Sequence, residues 1–193
     1  MVDLAEIQAA YYMVAATGVL VAAVFYILNL RISQRNMKQT LETRQFQLLM
    51  QLADVQKTTE GFKSFIEFAK MEWKDYDNFE KKYGSDVNLD NYAARDFIAT
   101  WFKKAGLLLR YGTIDRELLY DFLGEDAIQC WNKYREIVYT QRELYSVPEY
   151  ARDWEYLHGE MGKIAERRGH DITSPIIGKY SDEMREIVIA KKM

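Results

Sequence analysis

Residues 7–30, IQAAYYMVAATGVLVAAVFYILNL, hold no charged side chain, and Arg31, Arg35 and Lys38 follow at once. At 1.5 Å per residue the uncharged run makes a helix of roughly 36 Å, enough to cross a hydrocarbon core about 30 Å thick with some tilt. The stretch reads as a transmembrane helix. Tyr11, Tyr12 and Tyr26 fall near its ends, where amphipathic rings favour the headgroup level. Within it Ala15, Gly18 and Ala22 fall at helical spacing, a small-xxx-small face on which two helix backbones can approach. No ionisable residue lies inside the run, so it offers no proton relay or buried ion site, which argues against a transporter or pump.

Upstream of the span stand only Asp3 and Glu6; downstream, Arg31, Arg35, Lys38 and Arg44 crowd its end. Lys and Arg within about 15–20 residues of a span set its orientation, which places residues 1–6 outside the cell membrane and the rest in the cytoplasm. A cleaved signal peptide would need a basic start and a shorter apolar core. The same four basic residues are candidates for contact with anionic lipid headgroups. All 26 basic residues follow the span, as do all but two of the 29 acidic ones, so the cytoplasmic part is nearly neutral. That balance argues against nucleic acid as a partner, which a basic stripe would have to neutralise. One cysteine, Cys130, excludes an intrachain disulfide and, among Ile128, Trp131 and Tyr134, reads as a small buried hydrophobe.

Beyond the span the chain reads as all-α. Residues 31–57 contain neither Pro nor Gly, which extends the helix past the membrane. Met37, Leu41, Leu48, Leu52 and Val55 form one apolar stripe on it, able to meet a partner copy or the chain's own domain. Residues 58–168 then read as a helical bundle. Thr58 and Thr59 offer hydroxyl caps to a helix bearing Phe62, Phe65, Ile66 and Ala69, and residues 73–83 make a short helix and connector ended by Gly84 and Ser85. Asp90 is expected to cap a helix with Ala94, Phe97, Ile98, Trp101, Ala105 and Leu108 on its buried face, stopped at Gly112. Asp115 caps a shorter helix that Gly124 is expected to stop, and a separate helix carries Ala127, Trp131, Tyr134, Ile137 and Val138. Ser146-Val-Pro-Glu149 reads as a capping box, opening a helix on which Tyr150, Trp154, Leu157, Met161 and Ile164 recur at four, three, four and three. Residues 169–193 read as a linker with Pro175 and a short last helix, capped by Ser181, carrying Met184, Ile187 and Val188.

Four patterns touch on chemistry. Glu155-x-x-His158 is the spacing used in di-iron bundles, but such a site takes two copies and two further glutamates. His170-Asp171 has the form of a phosphohydrolase metal dyad in a chain with only two histidines, and His158-Gly-Glu160 lacks the Pro-Cys-x-x-Cys of a zinc deaminase. Asp86, Asn88 and Asp90 match the first positions of a calcium loop that lacks its Gly and its terminal Glu. No phosphate-cradling Gly-rich loop and no Gly-x-Ser-x-Gly occurs. The reading is therefore of no catalytic, cofactor or metal site.

The segments LETRQFQLLMQ (41–51), MEWKDYDNFEKKY (71–83), LLLRYGTIDRELL (107–119) and YARDWEYLHGEM (150–161) resemble those of uncharacterised prokaryotic proteins with one N-terminal span and a helical domain of unknown function. The resemblance implies membrane anchorage and a helical domain, and no reaction. The expected function is a membrane-anchored interaction protein, a scaffold or accessory subunit that binds itself or another membrane protein. The competing expectations are a metal-dependent tethered enzyme using Glu155 and His158, and an oligomeric pore built from the span.

Overall fold

The computed structural model describes residues 3–172. The expected C-terminal helix with Ser181, Met184, Ile187 and Val188, and Pro175 before it, lie outside them. Among the described residues the chain is all-helical, with six helices: α1 (Leu4–Lys57), α2 (Thr59–Lys70), α3 (Tyr76–Tyr83), α4 (Leu89–Arg110), α5 (Arg116–Leu144) and α6 (Arg152–Arg168). The chain divides into two units, residues 1–46 and 47–193.

In the first unit α1 starts at Asp3, whose carboxylate accepts the Ala5 N–H at 3.2 Å, and Glu6 adds a negative charge to the first turn. This is the one helix among the described residues long and apolar enough to cross a membrane, and none of its most apolar window is buried within the protein. Such a surface is stable only where another apolar phase covers it.

In the second unit the last turns of α1 contribute Leu49, Leu52 and Ala53 to the core. Helix α6 packs against both α4 and α5, and α2 packs against α4. The centre is aromatic: Phe102 stacks on Trp154 (centroids 5.0 Å, planes 14° apart), Trp154 on Tyr134 (6.1 Å, 21°), and Trp131 meets Trp154 edge-on at 5.4 Å. Each such ring removes about 150–250 Å² from water, which makes this column the main source of cohesion.

Several ends of helices follow the sequence reading. The Thr58 hydroxyl accepts the Gly61 N–H at 2.9 Å, Asp115 accepts from Glu117 and Leu118, and Gly84 ends α3. Gly112, at φ 65°, closes α4 in a Schellman turn, with Thr113 N–H on the Leu108 carbonyl at 3.0 Å.

Three expectations are corrected. The cap of α4 is Asn88, which accepts from the Asn91 N–H at 3.1 Å; Asp90 lies inside the first turn. Gly124 does not stop a helix, since α5 runs unbroken from Arg116 to Leu144. Its missing Cβ is needed because one would stand 2.4 Å from the Tyr120 ring, one turn earlier on the same helix. Ser146 is not the N-cap of α6: it adopts φ 55° as the left-handed residue closing α5, while Val147 N–H bonds the Arg142 carbonyl at 3.1 Å. Helix α6 starts five residues later, after Ala151 at φ 57°, with no side-chain cap. Arg142 secures this junction instead, giving Nε–H to the Tyr150 carbonyl at 2.9 Å and pairing with Glu155 at 2.8 Å.

Candidate functional site: an apolar groove and a polar pocket on the two flanks of α4

One flank of α4 faces the end of α1 across a groove of about 810 Å³. Leu48, Leu52 and Val55 of α1 line it, facing Leu89, Tyr92, Ala93, Asp96, Phe97, Thr100, Trp101, Lys104, Leu107 and Leu108 of α4. The Trp101 indole ties the two walls together, giving its N–H to the Leu52 carbonyl at 3.0 Å. Leu89 and Leu107 stay 69% and 40% exposed, and Tyr111, just past the helix end, 72%. This is more contiguous apolar surface than scattered exposure explains.

Positions 89, 93, 96, 100, 104, 107 and 111 form a single stripe at helical spacing, and that stripe is palindromic about Thr100. Asp96 balances Lys104, Ala93 balances Leu107, Tyr92 balances Leu108 and Leu89 balances Tyr111. Among the described residues neither Asp96 nor Lys104 takes part in an ion pair.

The other flank carries Arg95, only 6% exposed. Its Nη1 donates to the Tyr134 hydroxyl at 3.0 Å and its Nη2 to the Tyr83 carbonyl at 3.2 Å. Its guanidinium lies 4.7 Å from the Tyr92 ring centroid and 4.9 Å from that of Phe79. It opens on a pocket of about 290 Å³ lined also by Glu80, Asp96, Tyr134, Gln141, Tyr145 and Tyr150. Burial raises the pKa of both the Tyr134 and Tyr150 hydroxyls, with Arg95 opposing and Asp96 reinforcing the shift at Tyr150, so the phenols stay protonated.

The residues singled out from sequence are dispersed. Ala15, Gly18 and Ala22 are exposed on α1, as are Arg31, Arg35, Lys38 and Arg44, and no atom lies within 4 Å of a Cβ built on Gly18. Of the α1 stripe, Leu48, Leu52 and Val55 reach the groove, whereas Met37 and Leu41 are exposed on the first unit. Glu155 accepts from Arg142 and from the Tyr139 hydroxyl at 3.0 Å, and His158 leans on Trp131 at 6.1 Å. Burial, helped by Arg135 and opposed by Glu155, lowers the His158 pKa. Among the described residues no three His, Cys, Asp or Glu side chains gather as a metal-holding group. His170 Nδ1 shares a 2.8 Å hydrogen bond with the Tyr120 hydroxyl. Asn88 of the calcium-like loop is spent on its cap. Cys130 is fully buried, and burial, reinforced by Asp126, pushes its thiol pKa up, so it stays an unreactive thiol.

Arg95 and Gln141 escaped the sequence reading. The available signal was Arg95 standing directly after Ala94 and three residues before Ile98, inside an apolar face where a solvated charge has no place.

The chain belongs to the DUF4760 family, a domain of unknown function, whose model matches residues 13–161. No curated protein and no solved structure matches it.

Proposed function

We propose that this member of the DUF4760 family is a single-pass membrane-anchored interaction protein, its N-terminus outside and its helical domain in the cytoplasm, that assembles with a second copy of itself along α4. One observation carries this reading: the outward stripe of α4 is complementary to itself. When two copies meet across a two-fold axis at Thr100, their α4 helices run antiparallel. Asp96 of each then faces Lys104 of the other, and Leu89, Tyr92, Leu107 and Leu108 cover the partner's apolar positions. The groove beside the stripe supplies apolar area that water covers at a cost of about 25 cal/mol per Å².

Anchoring supports the same reading. Two copies held in one bilayer meet at an effective concentration far above that of free protein, so a modest interface suffices. The small face at Ala15, Gly18 and Ala22 is available for a second contact within the membrane. The bias of Arg31, Arg35, Lys38 and Arg44 to one side of the span supports the orientation, and each contributes about 1 kcal/mol where it reaches anionic lipid. No specific observation favours an enzyme or a pore over this.

The test is disulfide trapping in native membranes. Thr100→Cys sits at the proposed axis, and Cys130, being buried, does not compete. Mild oxidation should give a dimer with Thr100→Cys and none with Glu136→Cys, on an exposed face of α5. Lys104→Glu should abolish trapping, and adding Asp96→Lys should restore it by reversing the pair. A monomer throughout would sink the reading. Trapping onto a different membrane protein would replace it by the accessory-subunit reading, and an oligomer above two that conducts ions would replace it by the pore.

A further inference from the structure

We infer that the pocket beside Arg95 binds a small zwitterion of amino-acid size, carboxylate on Arg95 and ammonium on Gln141 and the carboxylates at the rim. This does not rest on self-assembly, although Tyr92 and Asp96 border both this pocket and the groove. A guanidinium has five N–H donors, and the fold uses two of them on Arg95. Its Nε has no partner, and no carboxylate pairs with it among the described residues, although it is more than nine-tenths buried. A buried cation left without a counter-ion is costly and calls for an anion. Gln141, equally buried, has the opposite defect, since its Oε1 is an acceptor without a donor. Both residues line the same pocket of about 290 Å³, at the small end for ligand sites, with the unused donor and the unused acceptor buried in its wall.

The charge of the lining selects the ligand. A simple anion drawn to Arg95 would meet Glu80 and Asp96, which carry its own sign, and a simple cation would meet Arg95. A molecule bearing both charges satisfies each group at once, and the Tyr92, Tyr145 and Tyr150 rings offer it apolar and π surface. Bound water is the competing occupant.

Calorimetric titration of the detergent-solubilised full chain with the neutral L-amino acids tests this, with propionate and ethylamine as single-charge controls. At least one amino acid should bind saturably and raise the melting temperature, with both controls at least about tenfold weaker. Arg95→Met should remove binding. Because that variant can lose fold, Glu80→Gln is the second probe: it leaves the helices intact by circular dichroism and weakens binding about tenfold. Absence of binding by every amino acid would overturn the inference in favour of water. Propionate binding as tightly as the amino acid, or wild-type affinity in both variants, would overturn it too.

Discussion

Helix α4 is packed to its limit on the side that meets α6 and left open on the side that faces the groove. At Gly106 a Cβ would stand 1.8 Å from the Asp153 carbonyl oxygen, so the two backbones touch where α6 begins. One residue on, Leu107 is 40% exposed. The same helix thus holds the tightest contact among the described glycines and one of the more exposed leucines of the bundle. Interior positions of a bundle are filled to crystal density by folding itself, so an apolar position left open on a packed helix needs a reason outside the monomer's own stability.

The sharpest way to break this contrast is Gly106→Ala. In an ordinary helix interior the change stabilises by roughly 0.5–1 kcal/mol, because alanine loses less backbone freedom. Here the added methyl runs into main chain, which cannot swing aside as a side chain can, and overpacking of about 1–3 kcal/mol outweighs the gain. Chemical denaturation should show a net loss of stability. A gain would mean that α4 and α6 are not in backbone contact.

A loss of about 1 kcal/mol is expected from Trp101→Phe, which removes the buried indole bond to the Leu52 carbonyl. That bond is the polar link across the groove floor, so its loss should also speed hydrogen exchange in residues 49–57 relative to α5. Unchanged exchange there would show that Leu49 and Leu52 alone hold the end of α1.

The opposite sign is expected at Gly159, on the outer face of α6, where nothing lies within 4 Å of a built Cβ. Gly159→Ala should stabilise by about 0.5–1 kcal/mol in the same denaturation assay. One substitution type with two signs on two packed helices isolates contact from propensity. Loss of stability at Gly159 would show that its face is covered by something in the folded protein.

Local signals were legible where a helix end is decided by its own residues: Thr58, Gly84, Gly112 and Asp115 all act as read. They were not where a second local demand on the same residue outbids the first. Gly124 looked like a stop, but α5 passes through it, and its missing Cβ makes room for the Tyr120 ring one turn earlier. Ser146 fits a cap motif in sequence, but closing α5 claims it first. The apolar wall of the groove was half visible, through Leu48, Leu52 and Val55 on one side and Phe97, Trp101 and Leu108 on the other. The Arg95 pocket was not, because its parts come from α3, α4, α5 and the turn after it, and no spacing in one segment encodes that meeting.

The smallest effect on stability, and the most telling, is expected of Leu107→Gln. Gln and Leu have similar helix propensity and the site is already part-exposed, so the monomer should change by no more than about 0.5 kcal/mol. Self-assembly is another matter, since Leu107 pairs with Ala93 of the second copy in the proposed interface. Association stabilises whichever state associates, and it does so in proportion to concentration. The melting temperature of the wild-type chain in a fixed detergent should therefore rise with protein concentration, while that of Leu107→Gln stays flat and meets the wild-type value at the dilute end. Two parallel flat lines would show that the open side of α4 serves no second copy. Two parallel rising lines would place self-association elsewhere, and the small face at Ala15, Gly18 and Ala22 would be the next surface to change.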